Sequence, residues 1–438
     1  MVGLARSGIA AAQALRERGE EVIGVDAGAP SGTVVLAAKD VDVHLGEEGV
    51  ELLDGVRAVV KSPGVPLQAP VIAAARRRQL PVLGELELAW RMLENEFIAV
   101  TGTNGKTTTV ELIGHIHREA ARPVAVAGNV GAAVSGLVGA IDENATVVCE
   151  ASSFQLEDTL AFAPEAAVLL NVSPDHLDRH GTLDAYAEAK LNVFARQKQD
   201  DVAVVPSTLL SRGLGRDAEP IEGRIGKARR VLFGADPGDA LLERNGELCW
   251  HGRPLLARSE LRLRGRHNVE NAMAAAAVCL ARGIAREAVV AGLISFAGVA
   301  HRLEEVGLRE GVTYVNDSKA TNVASTLVAL DAFADASGIH LILGGQGKGQ
   351  DFTPLGAAVT RNCRGLYLIG EDAPALAIAI AQAQVPVREC GDLERAVGEA
   401  SRAARNGDVV LLSPACASFD QFADFEARGE RFRELVGA

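Results

Sequence analysis

The residues best placed to do chemistry lie in Phe97-Ile-Ala-Val-Thr-Gly-Thr-Asn-Gly-Lys-Thr-Thr-Thr109. Gly102, Thr103, Asn104 and Gly105 form a turn, and Lys106 is followed by hydroxyls at Thr107 and Thr108. The apolar run Phe97 to Val100 reads as a buried parallel strand, and a helical pattern runs from Val110 to about Ala121. Strand, glycine turn, lysine and helix N-terminus together make a phosphate cradle. Backbone N–H groups point into such a turn, the helix dipole favours negative charge, and the lysine ammonium reaches the outer phosphates. A hydroxyl after the lysine suits Mg²⁺. The common P-loop spacing also wants a glycine where this chain has Val100. The competing reading is therefore a glycine-rich turn with a surface lysine.

Other chemistry-bearing residues follow at strand ends. Asn129 lies in a second glycine turn, Ala125 to Gly131. Glu150 closes the apolar strand Thr146 to Glu150, where an acid commonly holds Mg²⁺ in phosphate-binding sheets; an ordinary strand-end charge is the alternative. Ser173-Pro-Asp-His-Leu-Asp-Arg-His180 is dense in metal- and phosphate-capable side chains, His176 among them. Lys190, in Ala187-Glu-Ala-Lys-Leu191, reads from its surroundings as a solvated helix charge. Asn268 and Asn271 share one face of a helix, where they suit an adenine edge or a helix cap equally.

The elements that must position these residues follow from bulk properties and pattern. A length of 438 residues suggests two to four domains, and an Ala-, Val-, Leu- and Gly-rich, aromatic-poor composition suits α/β packing with parallel sheets. A net charge of −13 disfavours nucleic acid and anionic membrane surfaces, so no nucleic-acid partner and no membrane insertion are expected. Six cysteines without pairing or metal spacing read as reduced thiols, and neither a membrane span nor a signal-peptide layout is visible; a cytoplasmic protein is expected.

The start of the chain, Met1 to Gly8 with the helix behind it, and the strand ending at Asp26 read as half of a dinucleotide-type fold. The strand that should precede Gly3 is essentially missing, as from a late start or a trimmed N-terminus. By itself this fingerprint suits a nucleotide or a nicotinamide. Gly64 sits in a tight turn after the strand Ala58 to Lys61. From about Asp201 to Leu263 short strands and loops of low periodicity read as surface structure, with a charged, Gly-rich stretch from Ser211 to Arg230. Further on, strands ending near Val315, Leu343 and Leu412 run into loops rich in Gly, Ser, Lys and Asp, which must emerge on one sheet edge. Ser418 reads as the N-cap of the closing helix.

Taken together, these stretches resemble the Mur ligase family of ATP-dependent amide-forming enzymes over nearly the whole chain. The likeness rests on Thr101 to Thr108, Glu150-Ala-Ser-Ser-Phe-Gln155, Asn171 with Asp175-His176, His267-Asn268 with Asn271, and His301-Arg302. Asn316-Asp-Ser-Lys-Ala-Thr-Asn322 with Ser413 to Phe422 is similar to the D-glutamate-adding branch. The resemblance implies three α/β domains: a Rossmann-like UDP-substrate domain (1–85), a P-loop-type ATPase domain (86–298) and a dinucleotide-fold-like amino-acid domain (299–438). It implies ATP, two Mg²⁺ ions, and the substrates UDP-N-acetylmuramoyl-L-alanine and D-glutamate; the protein is expected to be a monomer.

Carried over residue by residue, Lys106, Glu150, His176 and Lys190 would be catalytic, and Thr107, Glu150, His176 and Lys190 would hold metal, Lys190 as a CO₂-derived carbamate. ATP would meet Gly102 to Thr108, Asn129, Asn268, Asn271, Arg302 and Asp317. The UDP substrate would meet Arg6, Ser7, Asp26, Gly64, Asn129 and His176. D-glutamate would meet Lys319, Thr321, Lys348, Ser418, Phe419 and Phe425. Asp26-Ala-Gly28 departs from the family by lacking the polar and basic residues that often follow this acid. A ligase with another amino acid or acceptor, including a folylpolyglutamate-type enzyme, is the alternative; a silent nucleotide-binding protein or a dehydrogenase stands further off.

Overall fold

The computed structural model describes residues 1–212, 221–263 and 265–437. The chain divides into two compact units, Met1–Leu261 with Glu270–Phe296, and Arg262–Val269 with Ala297–Ala438.

The first unit opens with two pairs of parallel strands: β1 (Ile23–Asp26) with β2 (Asp42–Leu45), and β3 (Val59–Lys61) with β4 (Val82–Gly84). Ahead of the first helix, Val2 bridges Val25 on one side and Lys61 on the other. Its N–H donates to Val60 and its carbonyl accepts from Ser62, so one residue joins the pairs into a parallel array. Helix Arg6–Glu17 begins just after it and buries the small residues Gly8, Ala11, Ala12 and Ala14.

The larger sheet contains β5 (Phe97–Thr101), β6 (Val124–Gly128), β7 (Thr146–Glu150), β8 (Ala166–Leu169), β9 (Val202–Pro206), β10 (Arg229–Gly234), β11 (Leu241–Arg244), β12 (Glu247–Trp250) and β13 (Arg253–Ala257). Their order is β13-β12-β11-β10-β9-β8-β5-β7-β6. β5 is parallel to both neighbours, β7 and β8. All residues of β5, β7 and β8 are buried, as expected where helices cover both faces of a parallel sheet and the strands become continuous apolar runs.

The reading of 201–263 as surface structure is corrected here. Its strand β9 is buried over Val202 to Val205, and β9 to β13 extend the sheet. The periodicity is weak because β11 to β13 form a short antiparallel meander at the edge, half-covered and bulged between Leu248 and Cys249. Within the charged stretch from Ser211 to Arg230, residues 213–220 lie outside the described residues.

The second unit holds β14 (Glu304–Arg309), β15 (Val312–Asn316), β16 (Ile339–Gly344), β17 (Cys363–Ile369), β18 (Val387–Gly391) and β19 (Val409–Leu412), in the order β14-β15-β19-β16-β17-β18. β14 runs antiparallel and the rest are parallel. The loops after β15, β19 and β16 therefore leave neighbouring strands on one edge, as their composition suggested. Among the described residues no helix is long and apolar enough to cross a membrane.

Candidate active site

The phosphate turn is held from below by Asn171, which follows β8. Its side chain accepts from Asn104 N–H at 2.9 Å and donates to the Asn104 carbonyl at 3.1 Å, while its own carbonyl accepts from Thr103 N–H at 3.0 Å. Gly105 then turns into helix Lys106–Glu119 at φ +86°, and a Cβ there would lie 2.2 Å from Asn271 Oδ1. Both the left-handed backbone and the close approach require glycine. No side chain caps this helix, so its first N–H groups face the turn as the cradle demands. Thr107 and Thr108 are buried beside it.

Two lysines meet at this turn. Lys106 Nζ donates to the carbonyls of Gly102 and Thr103, both at 2.9 Å, and Lys190 Nζ donates to the same Gly102 carbonyl at 2.8 Å. Lys190 is only 1% exposed, so its reading as a solvated helix charge is wrong. The ammonium lies 4.4 Å from the centre of the Tyr186 ring, and Tyr186 in turn contacts Thr103 Oγ1 through its hydroxyl. Burial first, then repulsion from Lys106, lowers the Lys190 pKa to about 7.

Glu150, at the end of β7, is also buried. One carboxylate oxygen accepts from Asn129 Nδ2 at 3.0 Å; the other is buried with no hydrogen-bond partner among the described residues. An ordinary strand-end charge would face water, so this oxygen fits a cation better. Gly128 makes the juxtaposition possible: at φ +126° a Cβ would lie 2.3 Å from the Glu150 carbonyl oxygen. His176 stands half-exposed with φ +50°, its N–H held by Asp175 Oδ1 at 2.9 Å and its ring 4.9 Å from that of Phe154. No cluster of three or more His, Cys, Asp or Glu exists among the described residues. The Glu150 carboxylate and the Thr107 hydroxyl still suit Mg²⁺, which takes oxygen ligands, keeps several waters and needs few protein groups.

Near the N-terminus, Arg6 donates to the Asn129 carbonyl at 3.4 Å and Ser7 Oγ lies 3.2 Å from Ser62 Oγ. Asp26 is turned inward: its carboxylate accepts from Leu4 N–H at 2.7 Å and from Gly28 N–H at 2.8 Å. The acid thus holds the glycine turn in place. Gly64 is exposed in the turn after β3.

In the second unit Asp317 is buried after β15, accepting from Ser413 Oγ at 2.8 Å and Leu303 N–H at 3.2 Å. Burial pushes its pKa up to about 7 against those hydrogen bonds and the nearby Arg302. Lys319 Nζ lies 5.8 Å from the Phe425 ring centre, Lys348 Nζ 5.2 Å from that of the exposed Phe419, and Thr321 N–H donates to the Lys319 carbonyl. Ser418 is buried but does not cap the closing helix, Phe425–Gly437. Asp424 does, accepting from Ala427 N–H at 2.7 Å. The sequence reading overlooked that Ser418 starts only a short turn, its carbonyl accepting from Gln421 and Phe422.

Asn268 belongs to the second unit and Asn271 to the first, both buried on helix Arg266–Ala281. Asn271 lies beyond the helix's first turn, so the cap reading fails for it.

Sequence reasoning missed Arg428. It is 1% exposed, and its guanidinium donates to Ser318 Oγ and carbonyl, Cys416 carbonyl, and the carbonyls of Ala417 and Gly344. One side chain thereby ties together the loops after β15, β16 and β19. No local pattern marks an arginine in a helix as buried; only the carbonyls it meets do.

Comparison with known proteins agrees with this arrangement. Residues 1–84 match the Mur ligase MurD-like N-terminal domain, 100–279 the Mur ligase middle domain and 301–416 the Mur ligase glutamate ligase domain. The chain is 44% identical to the UDP-N-acetylmuramoylalanine–D-glutamate ligase of Anaeromyxobacter dehalogenans, covering 100% of this chain and 96% of that one. It is 43% identical to the enzyme of that name from Myxococcus xanthus, over 100% and 97% of the two chains. Among solved structures, the fold is shared with the UDP-N-acetylmuramate–alanine ligase MurC of Thermotoga maritima (TM-score 0.59, 20% identity, 100% and 98% covered). It is shared also with the MurF ligase of Thermotoga maritima in complex with ADP (TM-score 0.60, 18% identity, 95% and 94% covered). A phosphate turn over two converging lysines, a buried strand-end carboxylate and three matching domains have one common explanation: the chain belongs to the Mur ligase family.

Proposed function

We propose that the chain is an ATP-dependent ligase that joins D-glutamate to UDP-N-acetylmuramoyl-L-alanine through an acyl phosphate, a step of peptidoglycan precursor synthesis. The observation that carries this reading is the buried, unpartnered oxygen of Glu150 beside a phosphate turn on which Lys106 and Lys190 converge. The relatives' names supply the substrates. In this reading residues 1–85 take the UDP substrate, 86–298 take ATP and 299–438 take the amino acid.

A carboxylate is a poor acyl donor because its leaving group would be oxide. Attack of the substrate carboxylate on the γ-phosphate of ATP makes an acyl phosphate and expels ADP; the neutral D-glutamate amine then displaces phosphate from it and gives up its proton to a base or to that phosphate. Lys106, released from the Gly102 and Thr103 carbonyls, neutralises charge on the transferring group, and the open helix N-terminus holds the phosphates next to it. Asn129, Asn268, Asn271, Arg302 and Asp317 position the nucleotide. Arg6, Ser7, Asp26, Gly64 and His176 hold the UDP substrate; Lys319, Thr321, Lys348, Ser418, Phe419 and Phe425 hold the amino acid.

Mg²⁺, when bound, supplies further charge neutralisation, with Thr107 and Glu150 on one ion and His176 and Lys190 on a second. For Lys190 that role requires a carbamate. A buried amine with a pKa near 7 is half neutral at neutral pH and thus able to add to CO₂, which turns a donor into a carboxylate-like ligand.

The test is phosphate release with ATP, Mg²⁺ and UDP-N-acetylmuramoyl-L-alanine, with D-Glu, L-Glu, L-Ala and meso-diaminopimelate supplied in parallel. Release with D-Glu alone, matched by amide product, is expected. Release with another amino acid instead, or undiminished turnover in Lys106→Ala, would refute the reading.

A further inference from the structure

Lys61, the last residue of β3, is completely buried, and it pairs with Asp158, itself 5% exposed. Nothing in the proposed chemistry uses either charge. Both lose hydration: burial lowers the lysine pKa and raises that of the acid, against their mutual attraction. A buried pair of this kind adds little net stability, and apolar residues of similar volume often replace one without loss. Stability alone therefore does not account for it.

The contacts around the pair suggest another role. The Lys61 ammonium also donates to the Val65 carbonyl at 2.9 Å, and Val65 N–H donates to Ser62. The ammonium thus closes the turn Ser62-Pro-Gly-Val65, which carries Gly64. Ser62 Oγ at the other end donates to the Gly3 carbonyl at 2.8 Å, fixing the N-terminal glycine turn.

On the opposite side, Asp158 ends the segment that starts at Glu150 and runs through the Ser152 capping box and helix Ser153–Leu156. Its neighbour Glu157 pairs with Arg179, whose guanidinium lies 4.4 Å from the Phe154 ring centre, and Phe154 packs on His176. One short segment therefore carries the cation-facing carboxylate and, through two consecutive acids, grips both the 62–65 turn and the loop bearing His176.

We propose that Lys61 and Asp158 are positioning residues for the UDP-linked substrate: Asp158 anchors the Lys61 ammonium, which sets the 62–65 turn relative to the segment carrying Glu150. The proposal rests on the reading that this turn receives that substrate.

The test uses the full chain with Lys61→Met/Asp158→Leu, which removes both charges together, and Asp158→Glu, which keeps the charge but displaces the ammonium by a methylene. Each folded variant should bind ADP as the unsubstituted chain does and keep kcat within about twofold, while KM for the UDP-linked substrate rises about tenfold, as for loss of one well-placed contact. A merely structural role would lower the active fraction instead, so kcat would fall at unchanged KM. That result, or an unchanged KM in either folded variant, overturns the proposal. Failure of the unsubstituted chain to bind the UDP-linked substrate would sink the functional reading and this proposal with it. Normal binding by that chain with unchanged variants sinks the proposal alone.

Discussion

The amine of Lys190 donates to the carbonyl of Gly102 at 2.8 Å, across 88 residues of sequence, and so places a titratable nitrogen directly under the phosphate turn. Its folded pKa of about 7 lies well below the roughly 10.4 of an unfolded lysine. Between these values the unfolded chain binds more protons than the folded one, so stability must rise with pH from about 7 upward; below that the cost of the buried ammonium is fully present. Urea unfolding in CO₂-free buffer at pH 7 and pH 9 should show this rise, and Lys190→Met should flatten it. With ¹³C-bicarbonate, a carbamate carbon resonance should appear in the unsubstituted chain and vanish in Lys190→Met. A pH-independent difference between the two chains would contradict the assignment of the shift to Lys190.

Gly105→Ala tests the turn itself. The new methyl would meet Asn271 Oδ1 at 2.2 Å in a left-handed backbone, which costs roughly 1–2 kcal/mol by conformation alone. The turn should open, with ADP affinity falling at least tenfold while far-ultraviolet circular dichroism stays unchanged. Retained affinity would mean that the turn tolerates a different backbone than the one described.

Arg428 should be the most sensitive residue of the second unit. Removing it withdraws a donor from five carbonyl or hydroxyl acceptors, of which Ala417 keeps the Gln346 N–H, and each buried acceptor left unpaired costs about 1 kcal/mol or more. Arg428→Met should raise KM for D-glutamate far more than KM for ATP and lower the melting temperature. An unchanged D-glutamate KM would separate the loop tie from the amino-acid site.

Asp424, not Ser418, takes the cap that the sequence suggested for Ser418. Asp424→Ala removes the cap of the closing helix and should cost about 1 kcal/mol of stability without altering KM for D-glutamate. Ser418→Ala should do the reverse. Chemical denaturation paired with steady-state kinetics distinguishes them, and equal stability losses would refute the reassignment.

These cases also show what could be read without coordinates. Glu150 was legible because an acid that ends an apolar strand has a fixed place on a parallel sheet, and Lys106 because a glycine turn must lead into its helix. Lys190 was legible only through family resemblance, since Ala187 to Leu191 carries the pattern of any surface helix. Its burial is imposed by Tyr186, one turn earlier on the same helix, and by Gly102, 88 residues away in sequence. Lys61, Asp158 and Arg428 gave no signal for the same reason: a charge becomes structural only when distant atoms surround it. The strands β9 to β13 were underread because an edge meander lacks a repeating apolar face.

The order of the large sheet has one more consequence. β5 lies between β7 and β8, both synthesised after it, and the amine beneath its turn comes later still, on helix Leu183–Leu191. During translation the phosphate turn therefore emerges long before anything can hold it. Asn171 follows Asn104 by 67 residues and Lys190 follows Gly102 by 88, so the cradle is closed by segments made after it. Such non-local pairing is slow to nucleate and leaves an apolar strand edge open meanwhile. A nascent chain halted before Ala166 would display Ile98 to Thr101 unpaired on that side, and it is there that a chaperone or a second growing chain would first find purchase.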